Sequence, residues 1–369
     1  MLLPSGCTMC VQSGVMCRVK CGTLWSGKYE YKHFITYRMK KEHPFIIVDL
    51  NSGRYVKEHS VGHEKYNLEP NKIDGLYYGY CPPYGGIGIE RLGAKRKELS
   101  VNNVIVFYSR KKGKGPDREI IAFTDKATVF RKEQSGKGMM RQIVIDGKTI
   151  DCGYHIVSEN IYILKRASDR FQIHCGDYNT HMFRKQRAFS DKYRELDKLL
   201  LAWFNEYLLR MNQDDSLYQE QLEDSIPVYD TDSSSTREPE YLDSITGRVA
   251  KKNPSISSKA VAASGFKCSY DPTHHTFRKA NGIQYMEGHH LIPCNSGNSE
   301  KYWKRFGRNI DCFENIVSLC PTCHRRIHYG SEAERNEIID KLYKVQAKRL
   351  KVAGLEISLD ELRKLYGCR

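Results

Sequence analysis

The stretch Glu287-Gly-His-His-Leu-Ile-Pro293, followed by Glu314-Asn-Ile-Val-Ser-Leu-Cys-Pro-Thr-Cys-His324 and by Ile327-His328, decides how the C-terminal third of this 369-residue chain is read. Adjacent residues at the end of a strand point to opposite sides. His289 and His290 can therefore divide two tasks, one holding a metal and the other activating water. His324 and His328 are four apart, so on a helix they share a face and can grip one cation together. Asn315 offers an amide carbonyl able to hold an imidazole in one tautomer. These residue types suit phosphodiester hydrolysis, which requires an activated water, positive charge on the phosphoryl oxygens and help for the leaving oxygen. A neutral imidazole accepts the water's proton near neutral pH because its ordinary pKa lies close by.

Cys320 and Cys323 have the spacing of a zinc knuckle, and a closed tetrahedral site requires two further ligands. The segment Lys267-Cys-Ser-Tyr-Asp-Pro-Thr-His-His-Thr-Phe277 supplies Cys268 and either His274 or His275. A Cys3His site would tie the start of this module to its end, and a module poor in core strands needs such a staple.

From about Asn253 to Gly330 the chain resembles the HNH (ββα-metal) nuclease domain of modification-dependent restriction endonucleases of the McrA kind. The matching pieces are Asn253-Pro-Ser-Ile, Lys267-Cys268, Asp271-Pro272, His274, Thr276-Phe277, Glu287 to Pro293 and Asn315 to His324. The resemblance implies that His290 is the general base, oriented by Asn315, and that His289, His324 and His328 bind the catalytic metal. It also implies structural zinc on Cys268, His274, Cys320 and Cys323, with His275 one residue off the pattern. The catalytic cation is expected to be Mg2+ or Mn2+, with Co2+ or Ni2+ also tolerated by three histidines. The match covers about a fifth of the chain.

Lys and Arg number 59 against 44 Asp and Glu, a formal charge of +15 that favours a polyanionic partner. The stretch from Gln213 to Gly247 holds ten acidic residues against Arg237, a net of −9 that leaves +24 on the rest. Its polar Asp230-Thr-Asp-Ser-Ser-Ser-Thr236 core and lack of apolar periodicity read as a linker, 213–250. Three of thirteen cysteines belong to the knuckle. Cys81, Cys152, Cys175, Cys294, Cys312 and Cys368 are scattered singly, which suits a reducing, prokaryotic cytosol. No apolar run is long enough to span a membrane, and Met1-Leu-Leu-Pro is too short for a signal segment. Cys7, Cys10, Cys17 and Cys21 have the chemistry for a second zinc, but their loop is short. Residues 1–24 are read as a leader with incidental cysteines.

Residues 25–212 are β-rich. Candidate strands are Phe45–Leu50, Val104–Ser109, Glu119–Thr124, Ala127–Arg131, Gln142–Ile145 and Ile161–Lys165, short and punctuated by turn residues. The series predicts a barrel or strongly curved sheet. Met182–Met211 carries Phe189, Tyr193, Leu196, Leu199, Leu200, Phe204 and Leu208 at helical spacing. Phosphate contacts alone select no target, so specificity is assigned to this domain. Tyr77, Tyr78, Tyr80 and Tyr84, with Trp25, Tyr29 and Tyr31 as a second cluster, are candidates to stack a flipped base. Beyond the metal segment, Glu332–Val352 predicts an amphipathic helix, and Ser358 or Asp360 caps a last short one.

The fold class expected is α+β: a barrel-like, PUA-superfamily-like reader, a connecting helix, an acidic linker, and a zinc-stapled HNH domain over 251–369. The expected activity is cleavage of double-stranded DNA carrying a modified base, by a cytoplasmic homodimer with no membrane association. The alternatives are a sequence-specific or nicking HNH nuclease acting on unmodified DNA, and a zinc-stapled DNA-binding protein without turnover.

Overall fold

Phe45-Ile-Ile-Val48 and Val104-Ile-Val-Phe-Tyr108 are unbroken apolar runs, and both become strands covered on both faces. In the computed structural model the described residues are 44–50, 66–81, 87–113, 115, 117–145, 147–174, 194–222, 234–244 and 247–368. Strand β1 (Phe45–Asp49) pairs in parallel with β3 (Ser100–Lys111), from Phe45 opposite Ile105 to Asp49 opposite Ser109. The two-residue period sorts Phe45, Ile47, Ile105 and Phe107 to one core and Ile46, Val48, Val104, Val106 and Tyr108 to another.

The sheet runs β1-β3-β4-β7-β2, where β2 is Tyr77–Gly79, β4 Arg118–Gln134 and β7 Tyr154–Ser158. Two short strands, β8 (Tyr162–Ile163) and β9 (Gln172–Ile173), pair with the first half of β4. A separate hairpin joins β5 (Gln142–Ile145) to β6 (Lys148–Asp151). The expected barrel is not found among the described residues: β1 and β2 stand at opposite edges and do not pair. The reason is β4. Its 17 residues serve β7 with one half and β8 and β9 with the other, and helix α1 (Arg194–Gln213) covers a face that a barrel would enclose. Trp203, Phe204 and Tyr207 of α1 pack on Phe107 and Phe123 with ring centroids 5.1–6.3 Å apart. The part of the expected helix before 194 lies outside the described residues.

The stretch expected to be a featureless acidic linker carries structure. Asp214 caps α2 (Asp215–Gln219) by accepting from the Ser216 and Leu217 amides, and Leu217, Tyr218 and Leu222 are buried. The Gln221 amide pairs with both backbone groups of Ile163 in β8. Gln219 does the same to Gly288, accepting from its N–H at 3.0 Å and donating to its carbonyl at 2.9 Å. Each glutamine thus satisfies a short strand where no neighbouring strand pairs. A second hairpin follows, β10 (Tyr241–Ser244) with β11 (Gly247–Ala250). The described residues all fall within one compact unit, 41–369, and one cluster of buried apolar side chains runs from Phe45 through α1 and Tyr218 to Leu362.

The remaining elements are α3 (Pro254–Ala263), β12 (Glu287–His290), α4 (Ser296–Phe306), β13 (Ile316–Leu319), α5 (Pro321–Tyr329), α6 (Glu332–Val352) and α7 (Leu359–Leu365). Capping boxes fix the last two: Ser331 with Glu334, and Ser358 with Glu361. Residues 1–24, with Cys7, Cys10, Cys17 and Cys21, lie outside the described residues. Among the described residues, no helix is long and apolar enough to cross a membrane.

Candidate active site

Strands β12 and β13 form an antiparallel pair, His289 opposite Val317 and His290 opposite Ile316, and α5 follows one residue later. A Cβ on Gly288 would stand 2.9 Å from the Ser257 side chain, so only glycine lets α3 pack so close to β12. Alternation along β12 sends Glu287 and His289 toward α5 and His290 the other way.

On the α5 side, the His289, His324 and His328 rings converge, with centroids 4.8–5.0 Å apart. One nitrogen from each lies within 4.8 Å of the others, and the His324 and His328 Nε2 atoms are 3.3 Å apart. Donors about 2.1 Å from one cation stand about 3.0 Å apart in octahedral and about 3.4 Å apart in tetrahedral geometry, so the donor set fits a metal. Two of the three rings, those of His324 and His289, are set by a partner on the other side. Glu287 Oε2 lies 2.6 Å from His324 Nδ1, which turns His324 Nε2 toward the cluster. Tyr366 gives its hydroxyl proton to the Leu291 carbonyl at 2.8 Å, and so accepts from His289 Nε2 at 2.8 Å. Nδ1 of His289 is then the nitrogen left for metal. Burial, followed by the charges of neighbouring histidines, holds the His289 pKa well below its ordinary value. Burial acts likewise on His328. Both are neutral donors at pH 7.

On the opposite side His290 Nε2 lies 2.7 Å from Asp311 Oδ1, in a buried pair. The other Asp311 oxygen accepts from the Asn253 amide at 2.7 Å, which fixes the carboxylate. Asn315, expected to orient the base, makes no hydrogen bond to it. Its Oδ1 accepts from the Ile292 amide at 2.8 Å, and its Nδ2 donates to the Ile292 and Ile310 carbonyls at 2.9 and 2.7 Å. It clamps the loop that leaves His290. Lys252, with its ammonium 4.6 Å above the Tyr218 ring, contributes positive charge felt at His289 and His328.

The knuckle residues also meet. Cys268, His274, Cys320 and Cys323 form one cluster, with His274 Nδ1 3.6 Å from Cys320 Sγ and 3.3 Å from Cys323 Sγ. Sulfur and nitrogen on one tetrahedral zinc stand about 3.6 Å apart, so this donor set fits too. His275 is not in the cluster. A hydrogen bond from Cys323 holds the Cys268 thiol down to about 4, and the same contact pushes Cys323 up. Such thiolate crowding suits a cation.

The aromatic candidates of the first half do not assemble in the same way. Tyr77 is 2 % exposed within the second core, and Tyr78 is buried, its hydroxyl donating to Asp74 at 2.6 Å. Neither ring is open to a base. Tyr80 is half-buried beside His155, while Trp25 and Tyr84 lie outside the described residues. Asp311, Tyr366, Glu287 and Gln219 were not found from sequence.

No family model matches the chain. Over 96 residues, 26 % of the chain, it is 31 % identical to the type IV methyl-directed restriction enzyme EcoKMcrA of Escherichia coli (strain K12). The McrA-like resemblance is borne out. The matched stretch spans about 30 % of that relative's length. Among solved structures, the type IV phosphorothioation-dependent restriction endonuclease ScoMcrA matches with a TM-score of 0.24 and 13 % identity. That match covers 83 % of this chain and 57 % of that one, a likeness too low to transfer a fold.

Proposed function

We propose that this chain is a DNA endonuclease of the modification-dependent restriction kind. His289, His324 and His328 would hold Mg2+ or Mn2+, and His290 would activate water. One observation carries the reading: three imidazoles converge within 4.8 Å on one side of β12, and a fourth is held by a carboxylate on the other. When bound, the cation supplies positive charge to the non-bridging and leaving oxygens of the phosphate. Asp311 accepts from His290 Nε2–H, which keeps the lone pair on Nδ1 free to take the proton of an attacking water. Glu287 and Tyr366 keep the ligand nitrogens aimed inward. Asn315 holds the loop after His290 in register, and Lys252 draws the phosphate backbone toward the site.

Zn2+ on Cys268, His274, Cys320 and Cys323 would fasten the start of the module to α5. The charge of +15 suits double-stranded DNA, and the β-rich first half is assigned the choice of a modified base. One such site faces one strand, so a double-strand break calls for a homodimer. A reducing, cytosolic setting fits the single cysteines.

Matched plasmids, unmodified, cytosine-methylated, hydroxymethylated and adenine-methylated, test the reading in Mg2+ or Mn2+. Cutting of one modified plasmid alone supports it and names the base. Equal cutting of all four keeps the nuclease and removes the reader. Binding without cutting points to a zinc-stapled DNA-binding protein.

A further inference from the structure

The side of β12 away from the three-histidine cluster holds a third set of metal donors. His290, Cys294 and Asp311 each place one donor atom within 4.8 Å of the other two. His290 and Asp311 are buried, and Cys294 is part-buried just before α4. The Cys294 thiol has only a weak neighbour, Ser299 Oγ at 3.8 Å. A cavity of about 420 Å3 has Asp311, with Asn253 and Lys252, in its wall.

We infer that His290, Asp311 and Cys294 form an inhibitory site for a thiophilic divalent cation of the Zn2+ or Cd2+ kind, and that occupancy silences the base. The inference rests on the reading of His290 as general base. Sulfur, imidazole and carboxylate are a zinc donor set, with a fourth position left for water. The thiolate selects soft cations and leaves Mg2+ outside.

Inhibition follows from the tautomer. With Asp311 accepting from Nε2–H, Nδ1 of His290 keeps its lone pair and can accept a proton. A cation bound at Nε2 takes the lone pair of that nitrogen instead, so the neutral ring must carry its proton on Nδ1. Nδ1–H cannot accept a proton from water, and the base is lost although the ring has not moved far. The Nε2 proton and the Cys294 thiol proton both leave, one proton is taken up at Nδ1, and the net release is one proton per cation.

The test titrates Cd2+ into zinc-loaded wild type, Cys294→Ser and His328→Ala, and reads the ultraviolet thiolate-to-cadmium band. Any exchange at the knuckle adds the same signal to all three proteins. The expected result is an additional band in wild type and His328→Ala that Cys294→Ser lacks. Loss of one partner of a metal ligand typically costs about 10–100-fold in affinity. Cys294→Ser is therefore expected to keep its Mn2+-supported cleavage and to require at least about tenfold more Cd2+ for half inhibition. Equal bands in wild type and Cys294→Ser would overturn the site. Should Cys294→Ser fail to fold, Asp311→Asn takes its place in the binding titration, where an unaltered Cd2+ affinity would overturn the site. Absence of Mn2+-dependent cleavage in wild type would refute the nuclease reading while the band still decides the site.

Discussion

Replacing Asn315 by Ala separates a structural clamp from a group that orients the base. The side chain is fully buried and makes three hydrogen bonds, all to backbone groups of residues 292 and 310. A net contribution of about 0.5–1.5 kcal/mol per bond sums to about 2–4 kcal/mol, because the freed amide and carbonyls stay buried. At about 2–4 °C per kcal/mol for chains of 150–250 residues, Tm should fall by roughly 4–16 °C. Calorimetry of the Zn2+-loaded protein reads the shift, and cleavage measured well below Tm reads the site. Activity should be partly retained in the cold and collapse on warming, because the loop after His290 loosens while the His290–Asp311 pair persists. Asn315→Asp should do no better: it keeps an acceptor for the Ile292 amide but turns a carboxylate toward two carbonyls. An unaltered Tm combined with a hundredfold or greater loss of rate, on the scale of about 10²–10⁴ for a lost general base, would refute the clamp.

Three further outcomes follow from the same geometry. Cys320→Ser should release zinc and lower the unfolding temperature of the C-terminal part, and a chelator should do the same to wild type; unchanged melting in both would exclude a structural zinc. His328→Ala should weaken Mn2+ binding by at least about tenfold in calorimetric titration, with zinc content unaffected. Gln219→Ala leaves the Gly288 amide and carbonyl without partners and should cost about 1–3 kcal/mol in denaturant unfolding, an effect an unstructured linker would not produce.

The candidate cation ligands were legible because their spacing is local: Cys320 caps the helix that carries Cys323, His324 and His328, and the His pair lies on one strand. The groups that aim them were not. Asp311 lies 21 residues from His290 and Tyr366 lies 77 from His289, single polar residues whose roles exist only once the chain has folded. Asn315 was visible as a residue but mistaken in its partner, since an amide serves backbone and imidazole equally well. The extent of α6 followed from its periodicity. Two strands were read where β4 is one, because Asp125-Lys126 looks like a turn. In the fold Asp125 is buried mid-strand and paired with Lys251. Acidic composition likewise hid α2, a helix too short for a visible apolar period.

The most direct test is Mn2+-dependent cleavage of pooled, modified plasmid DNA by wild type and by His290→Ala, with DNA binding measured in parallel. The account predicts cutting by wild type that leaves 5′-phosphate ends, and a loss of about 10²–10⁴-fold in the variant with binding and fold retained. Equal rates in the two proteins would contradict it.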